Sequence, residues 1–230
     1  MHMKIKAIIF DIDGTVYSNN WMHIRSIPLF LRYGRRLLRF SKARDYLHQY
    51  PQEVEKAGVT FLEFQGQLLS QLSHGRYDVE TSQAHIEEFR EEWEQLFRSI
   101  KPYKHFIESI EELRSIGFKV ALFSDFPIEP KLTYLGLSGL WDAVLCSEDA
   151  GALKPDPRGF LQIASMLNVS ADEVLFVGNS HKYDVMGARN AGMYAAHLKW
   201  GKPRKATQAH FTFYGYKNFA DRVKQWITSL

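Results

Sequence analysis

Two carboxylates stand two positions apart in Asp11-Ile12-Asp13-Gly14-Thr15, directly after an apolar run at residues 4–10. Along a regular strand both side chains would share a face, and two close anions repel unless a cation or a proton compensates. The pair therefore points to a metal site or to catalysis, although Asp-Gly is also ordinary turn chemistry.

Three later features bear on the choice. Ser124 ends a second apolar run, residues 118–123, so its hydroxyl would lie beside Asp11 and could donate to a phosphate oxygen; a serine before Asp125 and Pro127 also suits a turn. Lys154, in Gly151-Ala152-Leu153-Lys154-Pro155, could neutralise an anionic nucleophile or phosphoryl group, although most lone lysines are merely solvated. Gly178-Asn179-Ser180-His181-Lys182-Tyr183-Asp184 follows a third run, residues 174–177, and offers oxygen ligands. Asp11, Asn179 and Asp184 suit Mg²⁺, which takes hard oxygen donors, while Asp184 could instead cap the next helix.

The elements that must position these residues are short β-branched runs alternating with helical stretches. Runs at 4–10, 118–123, 143–146, 174–177 and 193–198 read as buried parallel strands. Ile107, Ile110, Leu113 and Ile116 mark a helix ended by Gly117, and Phe160, Ile163, Ala164 and Leu167 mark another. Strand alternating with helix predicts an α/β fold with a doubly wound parallel sheet, whose ligands bind at the carboxyl ends of the strands.

Between the first two runs the alternation fails, and the intervening residues read almost wholly as helix. Ile86, Phe89, Trp93, Leu96, Phe97 and Ile100 keep helical spacing, Thr60 with Glu63 has the form of a capping box, and Ile27, Phe30, Leu31, Leu37 and Leu38 form a third apolar face. We expect a compact inserted bundle. Arg32, Arg35, Arg36 and Arg39 cluster within it, which raises a membrane-surface or polyanion reading against a solvated helix face, the one we favour.

With 45% hydrophobic residues the chain can bury a full core, and 29 basic against 26 acidic residues give no reason to expect a nucleic-acid partner. The single cysteine, Cys146, excludes an internal disulfide and a thiolate zinc site, and its apolar neighbours suggest a buried strand position. No apolar run approaches a bilayer span and none reads as a secretory signal, so we expect a cytoplasmic protein without stable membrane association.

Taken in order, D-I-D-G-T, Ser124, the K-P of Lys154 and G-N-S-H-K-Y-D resemble the four motifs of the haloacid dehalogenase superfamily. The resemblance covers residues 1–16 and about 99–200, and implies a Rossmann-like core of residues 1–16 and 99–230 with an all-helical cap of the C1 kind at residues 17–98. It implies a phosphatase acting on a small phosphorylated substrate, with Asp11 as nucleophile and Asp13 as general acid and base. Ser124 and Lys154 would hold the phosphoryl group, with Thr15 and Asp125 counted beside them. Mg²⁺ would be bound by Asp11, the Asp13 main-chain carbonyl, Asn179 and Asp184. Asn179 departs from the family, which commonly has Asp there; a neutral amide lowers the expected metal affinity.

Three rivals follow from the same resemblance. A dehalogenase attacking carbon needs no proton for its leaving group, so Asp13 argues against it. A phosphonatase needs a Schiff-base lysine in the cap, and Lys42 and Lys56 read as surface residues. A binding protein that kept the fold and lost turnover is opposed by intact Asp11, Asp13 and Lys154.

Overall fold

The run before Asp11 forms β1 (Ala7–Phe10), four residues wholly shielded from solvent. Its side chains alternate as period two demands: Ile8 and Phe10 enter one apolar cluster, Ala7 and Ile9 another. Both faces are covered, which is why the run reads as continuously apolar. The structure, a computed structural model, describes residues 4–199 and 207–230; residues 1–3 and 200–206 of the expected core lie outside them.

Strands β2 (Lys119–Ser124), β3 (Ala143–Cys146), β4 (Val174–Gly178), β5 (Tyr194–Leu198) and β6 (Phe211–Phe213) extend the sheet in the order β3-β2-β1-β4-β5-β6. Every pairing is parallel. The chain leaves β1 toward β2 on one side and reaches β4 on the other, so the strand order reverses at β1, the position where an open sheet opens a crevice.

Five helices follow β1: α1 (Asn19–Tyr33), α2 (Arg35–Gln49), α3 (Gln52–Ala57), α4 (Phe61–Leu72) and α5 (Val79–Gln95). They share an interior of Leu29, Tyr33, Leu37, Phe40, Ala43, Leu69, Ile86 and Phe89. Phe89 is its hub, with its ring centroid 5.6 Å from Tyr33 and 5.4 Å from Phe40. Thr60 caps α4 by accepting the Glu63 N–H at 3.2 Å, and Asp78 caps α5 by accepting the Thr81 N–H at 2.8 Å.

The apolar face expected from Ile27, Phe30, Leu31, Leu37 and Leu38 is corrected. Only Leu37 is buried; Ile27, Phe30, Leu31 and Leu38 are exposed, Leu31 by 82%. Gly34, at a φ of 44°, separates α1 from α2. The break resets the helical phase, so one face cannot run through both helices, and α1 buries Met22, Ser26, Leu29 and Tyr33 instead. The run from Ile86 to Ile100 also divides. Ile86 and Phe89 enter the helical interior, whereas Phe97 and Ile100 join the sheet-side cluster beyond the end of α5.

The sheet faces are covered by α6 (Phe106–Ile116), α7 (Glu129–Leu135), α8 (Pro157–Met166), α9 (Met186–Asn190) and α10 (Phe219–Thr228). Phe106, Ile110, Leu132 and Phe219 pack on one face, Phe160, Ile163 and Ala188 on the other. The doubly wound α/β expectation is met. Among the described residues no helix is long and apolar enough to cross a membrane.

Candidate active site

Asp11 leaves β1 at the centre of the sheet, its N–H still bonded to Val177 O of β4 at 2.9 Å. Its carboxylate is buried: Oδ1 lies 2.6 Å from Lys154 Nζ and Oδ2 accepts the Thr15 hydroxyl at 2.8 Å. The same ammonium lies 2.7 Å from Asp184 Oδ1, and Asp184 Oδ2 accepts the Ser180 N–H at 2.8 Å. Gly178 permits this closeness, because a Cβ there would lie 2.3 Å from the Asp184 Cβ. One lysine thus serves two carboxylates. Burial, and then the Asp184 charge, push Asp11 up to about 7 despite Lys154. Burial opposes the charge on Lys154, but Asp11 and Asp184 hold its ammonium well above the usual range.

Asp13 has a separate set of donors. Lys131 Nζ lies 3.0 Å from both of its oxygens, the Ser124 hydroxyl donates to Oδ2 at 2.9 Å, and Tyr17 donates to Oδ1. Burial works against the Asp13 charge; the Lys131 ammonium and these hydrogen bonds outweigh it and hold the carboxyl below its ordinary range. Tyr17 is pushed well above its own, first by burial and then by Asp13, so it remains a donor. Two neighbouring carboxylates therefore sit in opposed environments, one raised and one lowered, an arrangement that divides acid–base labour.

Two of the expected oxygen donors, those of Asp11 and Asn179, meet at Thr15. Thr15 Oγ lies 2.8 Å from Asp11 Oδ2 and 3.2 Å from Asn179 Oδ1. A hydroxyl has one proton, so it cannot satisfy both oxygens, and the one left over can face a cation. The Asp13 carbonyl accepts a long contact from Asn19 Nδ2, 3.4 Å. Gly14, at a φ of 90°, lets Asn179 and Asn19 close over the loop, since a Cβ would lie 2.3 Å and 2.5 Å from their amide nitrogens. Asn179 is held from behind by His197 Nε2, which donates to its carbonyl at 3.1 Å. Among the described residues no three His, Cys, Asp or Glu side chains gather around one point. The donor types expected for a hard cation, two carboxylates, an amide and a main-chain carbonyl, suit an ion that keeps several waters, while both Asp184 oxygens are engaged by Lys154 and the Ser180 N–H.

Two phosphate-binding expectations are altered by this geometry. The Asp125 carboxylate has partners of its own: its Oδ1 accepts the Ser147 hydroxyl at 2.7 Å and the Lys154 N–H at 3.0 Å. Both contacts use the side chain as an acceptor, and through them it braces the Lys154 loop. Ser124 lies where expected, but its hydroxyl is engaged by Asp13.

A model of haloacid dehalogenase-like hydrolases matches residues 5–192. The chain belongs to this family. It is 28% identical to a glyceraldehyde 3-phosphate phosphatase from Methanopyrus kandleri over 86% of this chain and 85% of that protein. It is 27% identical to the pyrophosphatase PpaX from Bacillus cereus with the same coverage. A 2-haloacid dehalogenase from Pseudomonas syringae superposes with a TM-score of 0.66, at 19% identity over 96% of this chain and 99% of that one, a likeness of fold alone.

In this haloacid dehalogenase-like hydrolase the sequence reading missed Lys131 and Tyr17. Lys131 is only 1% exposed. A signal for it exists: Ile128, Lys131, Leu132 and Leu135 keep the spacing of one helix face, and a lysine on an apolar face must have a partner. The reading also missed Glu148, which draws in Arg44 at 2.6 Å and Arg90 at 2.6 Å, joining α2 and α5 to the core. Nothing in the local pattern marks that network, because its members are far apart in sequence. His48 of α2 reaches the core as well, donating to Lys154 O at 2.6 Å and stacking on Tyr183; burial lowers its pKa.

Proposed function

We propose that this hydrolase is a Mg²⁺-dependent phosphatase that removes the phosphoryl group of a small phosphorylated metabolite through an aspartyl-phosphate on Asp11. In this reading residues 17–98 form the cap over a core of residues 1–16 and 99–230, and the protein acts in the cytoplasm. The observation that carries it is the pairing of Asp11 with Lys154 beside a second carboxylate, Asp13, that has its own cation. A carbon-displacing dehalogenase has no task for Asp13 and Lys131, and the relatives are named phosphatases. Steady-state phosphate release from p-nitrophenyl phosphate, with Mg²⁺ and with chelator, tests the reading; equal rates in both would exclude metal dependence, and no release on any phosphate ester would exclude the phosphatase.

Asp11 attacks phosphorus in line while Lys154 compensates its charge and that of the phosphoryl oxygens. Asp11, the Asp13 carbonyl, Asn179 and Asp184 would hold Mg²⁺, which when bound offsets the repulsion between Asp11 and a phosphate dianion. Asp13 rests as the carboxylate, the form that activates water for hydrolysis of the acyl phosphate. An arriving dianion works against Lys131 and raises the proton affinity of Asp13, which lets it take up one proton from solvent, pass it to the leaving oxygen and return to the carboxylate. Ser124 orients Asp13 and turns to a phosphoryl oxygen as that proton is handed over.

Lys131→Met tests this division of labour. Removing the ammonium raises the pKa of Asp13, so the limb of the kcat–pH profile below the one set by Asp11, at about 7, should move to higher pH. An unmoved limb would separate Asp13 from the rate-limiting proton transfer. Asn179→Asp adds charge to the proposed metal shell and should tighten Mg²⁺, read by calorimetry, by about tenfold. At saturating Mg²⁺ the gain in activity should vanish or reverse, because the added charge weakens the field on the phosphoryl group. An unchanged Mg²⁺ affinity would make Asn179 structural.

A further inference from the structure

Asp13 lines a cleft of about 610 Å³ between the helical segment and the core. On the phosphatase reading, the residue that protonates the leaving oxygen must face the leaving group, so this cleft is where the leaving group sits. Its walls carry Phe30, Leu37, Leu38, Phe40, Trp93 and Phe126.

Arg44, Arg90 and Lys131 in the cleft are each held by an anion, with Arg90 Nε left without a partner, and His23 and His48 also line it. Arg44 donates to Glu148 Oε1 at 2.6 Å and to Asp125 O at 2.7 Å, and its guanidinium lies over the Phe126 ring, 4.0 Å from the centroid. Arg90 lies 2.6 Å from Glu148 Oε2, and Lys131 is bound to Asp13. Asp45 and Glu94, which also line it, are acidic. Arg25, Lys101 and Lys104 line a different hollow, beside Gly14 and Asn179, whose walls do not include Asp13. A second phosphate or carboxylate on the leaving group would thus have to draw Arg44, Arg90 or Lys131 away from Glu148 or Asp13, with Asp45 and Glu94 beside it.

We propose that the physiological substrate is a phosphate monoester whose alcohol portion is apolar and uncharged, and that the cleft built by Phe30, Leu38, Phe40 and Phe126 selects it over sugar phosphates, nucleotides and pyrophosphate. This rests on the phosphatase reading and narrows it. The opening supports the same class: Leu38 and Phe30 are 62% and 47% exposed at the cleft, apolar surface that a hydrophobic alcohol would cover. Each methylene taken from water into such a wall strengthens binding by about 0.8 kcal/mol, roughly fourfold.

The test compares kcat/KM of the full chain with Mg²⁺ for ethyl, butyl, hexyl and phenyl phosphate against ribose 5-phosphate, a nucleoside monophosphate, glyceraldehyde 3-phosphate and pyrophosphate. We expect hexyl phosphate to exceed ethyl phosphate by roughly tenfold or more, and to exceed every sugar, nucleotide and pyrophosphate probe. Leu38→Lys and Phe30→Ser, at exposed positions, should cut kcat/KM for hexyl phosphate about tenfold and flatten the dependence on chain length, so that hexyl and ethyl phosphate are turned over alike. Sugar phosphates or pyrophosphate turned over ahead of the apolar esters, or no dependence on chain length, would overturn the proposal and leave the phosphatase reading standing. No phosphate release from any probe would overturn both.

Discussion

Asp11→Asn should lower turnover by at least roughly a thousandfold while the fold is retained, because an amide is not a competent nucleophile toward phosphorus. The substitution is nearly isosteric, and it replaces a carboxylate whose folded pKa is pushed up to about 7. A carboxylate with a raised folded pKa destabilises the native state increasingly as pH rises above its unfolded value, near 4. Neutralising it removes that penalty but also takes one anion from Lys154, which keeps Asp184 at 2.7 Å. The two effects oppose each other, so the melting temperature near pH 7 should change by only a few degrees. A large loss of stability together with the loss of activity would mean that Asp11 is held for structure.

Lys154→Met should behave in the opposite manner, losing both activity and stability. The ammonium is 3% exposed and joins Asp11 and Asp184 at 2.6 Å and 2.7 Å. Without it two buried carboxylates face one another uncompensated, a defect that costs about 3–5 kcal/mol, or roughly 10 °C in melting temperature for a chain of this size. The sign with pH follows from linkage. Loss of Lys154 raises the folded pKa of Asp11 further above its unfolded value, so the penalty is full at alkaline pH and shrinks as pH falls and the carboxyl takes up a proton. Thermal melts of both proteins between pH 5 and 8.5 should therefore converge toward acid. Parallel curves would show that Lys154 contributes packing against Phe123 and Phe176, whose ring centroids lie 5.6 Å and 5.7 Å from Nζ, more than charge.

Both residues were legible because each follows a strand whose apolar run is long enough to read. Ile8, Ile9 and Phe10 announce β1, and Asp11 is simply what comes next; Lys154 and Asp184 lie further on, in the segments that follow β3 and β4. What escaped depends on contacts across the sequence. Lys131 meets Asp13 over 118 positions, and Glu148 gathers Arg44 and Arg90 from two helices of the insert. β6 also escaped, since three residues of FTF are too few to show a period. The face of α1 and α2 was misjudged because Gly34 lies between its members, where its backbone ends one helix and begins the next. The exposed Leu31 and Leu38 are the consequence. Composition says which residues are apolar, and only the helix phase says which of them are inside.

Rapid acid quench of the full chain with labelled p-nitrophenyl phosphate and Mg²⁺, followed by peptide mapping, tests the central claim most directly. The predicted result is one acid-stable, hydroxylamine-sensitive phosphoryl label on the peptide containing Asp11, formed as fast as p-nitrophenol appears and absent from Asp11→Asn. Product formed with no label on that peptide, or by Asp11→Asn at the wild-type rate, would contradict a covalent mechanism on Asp11.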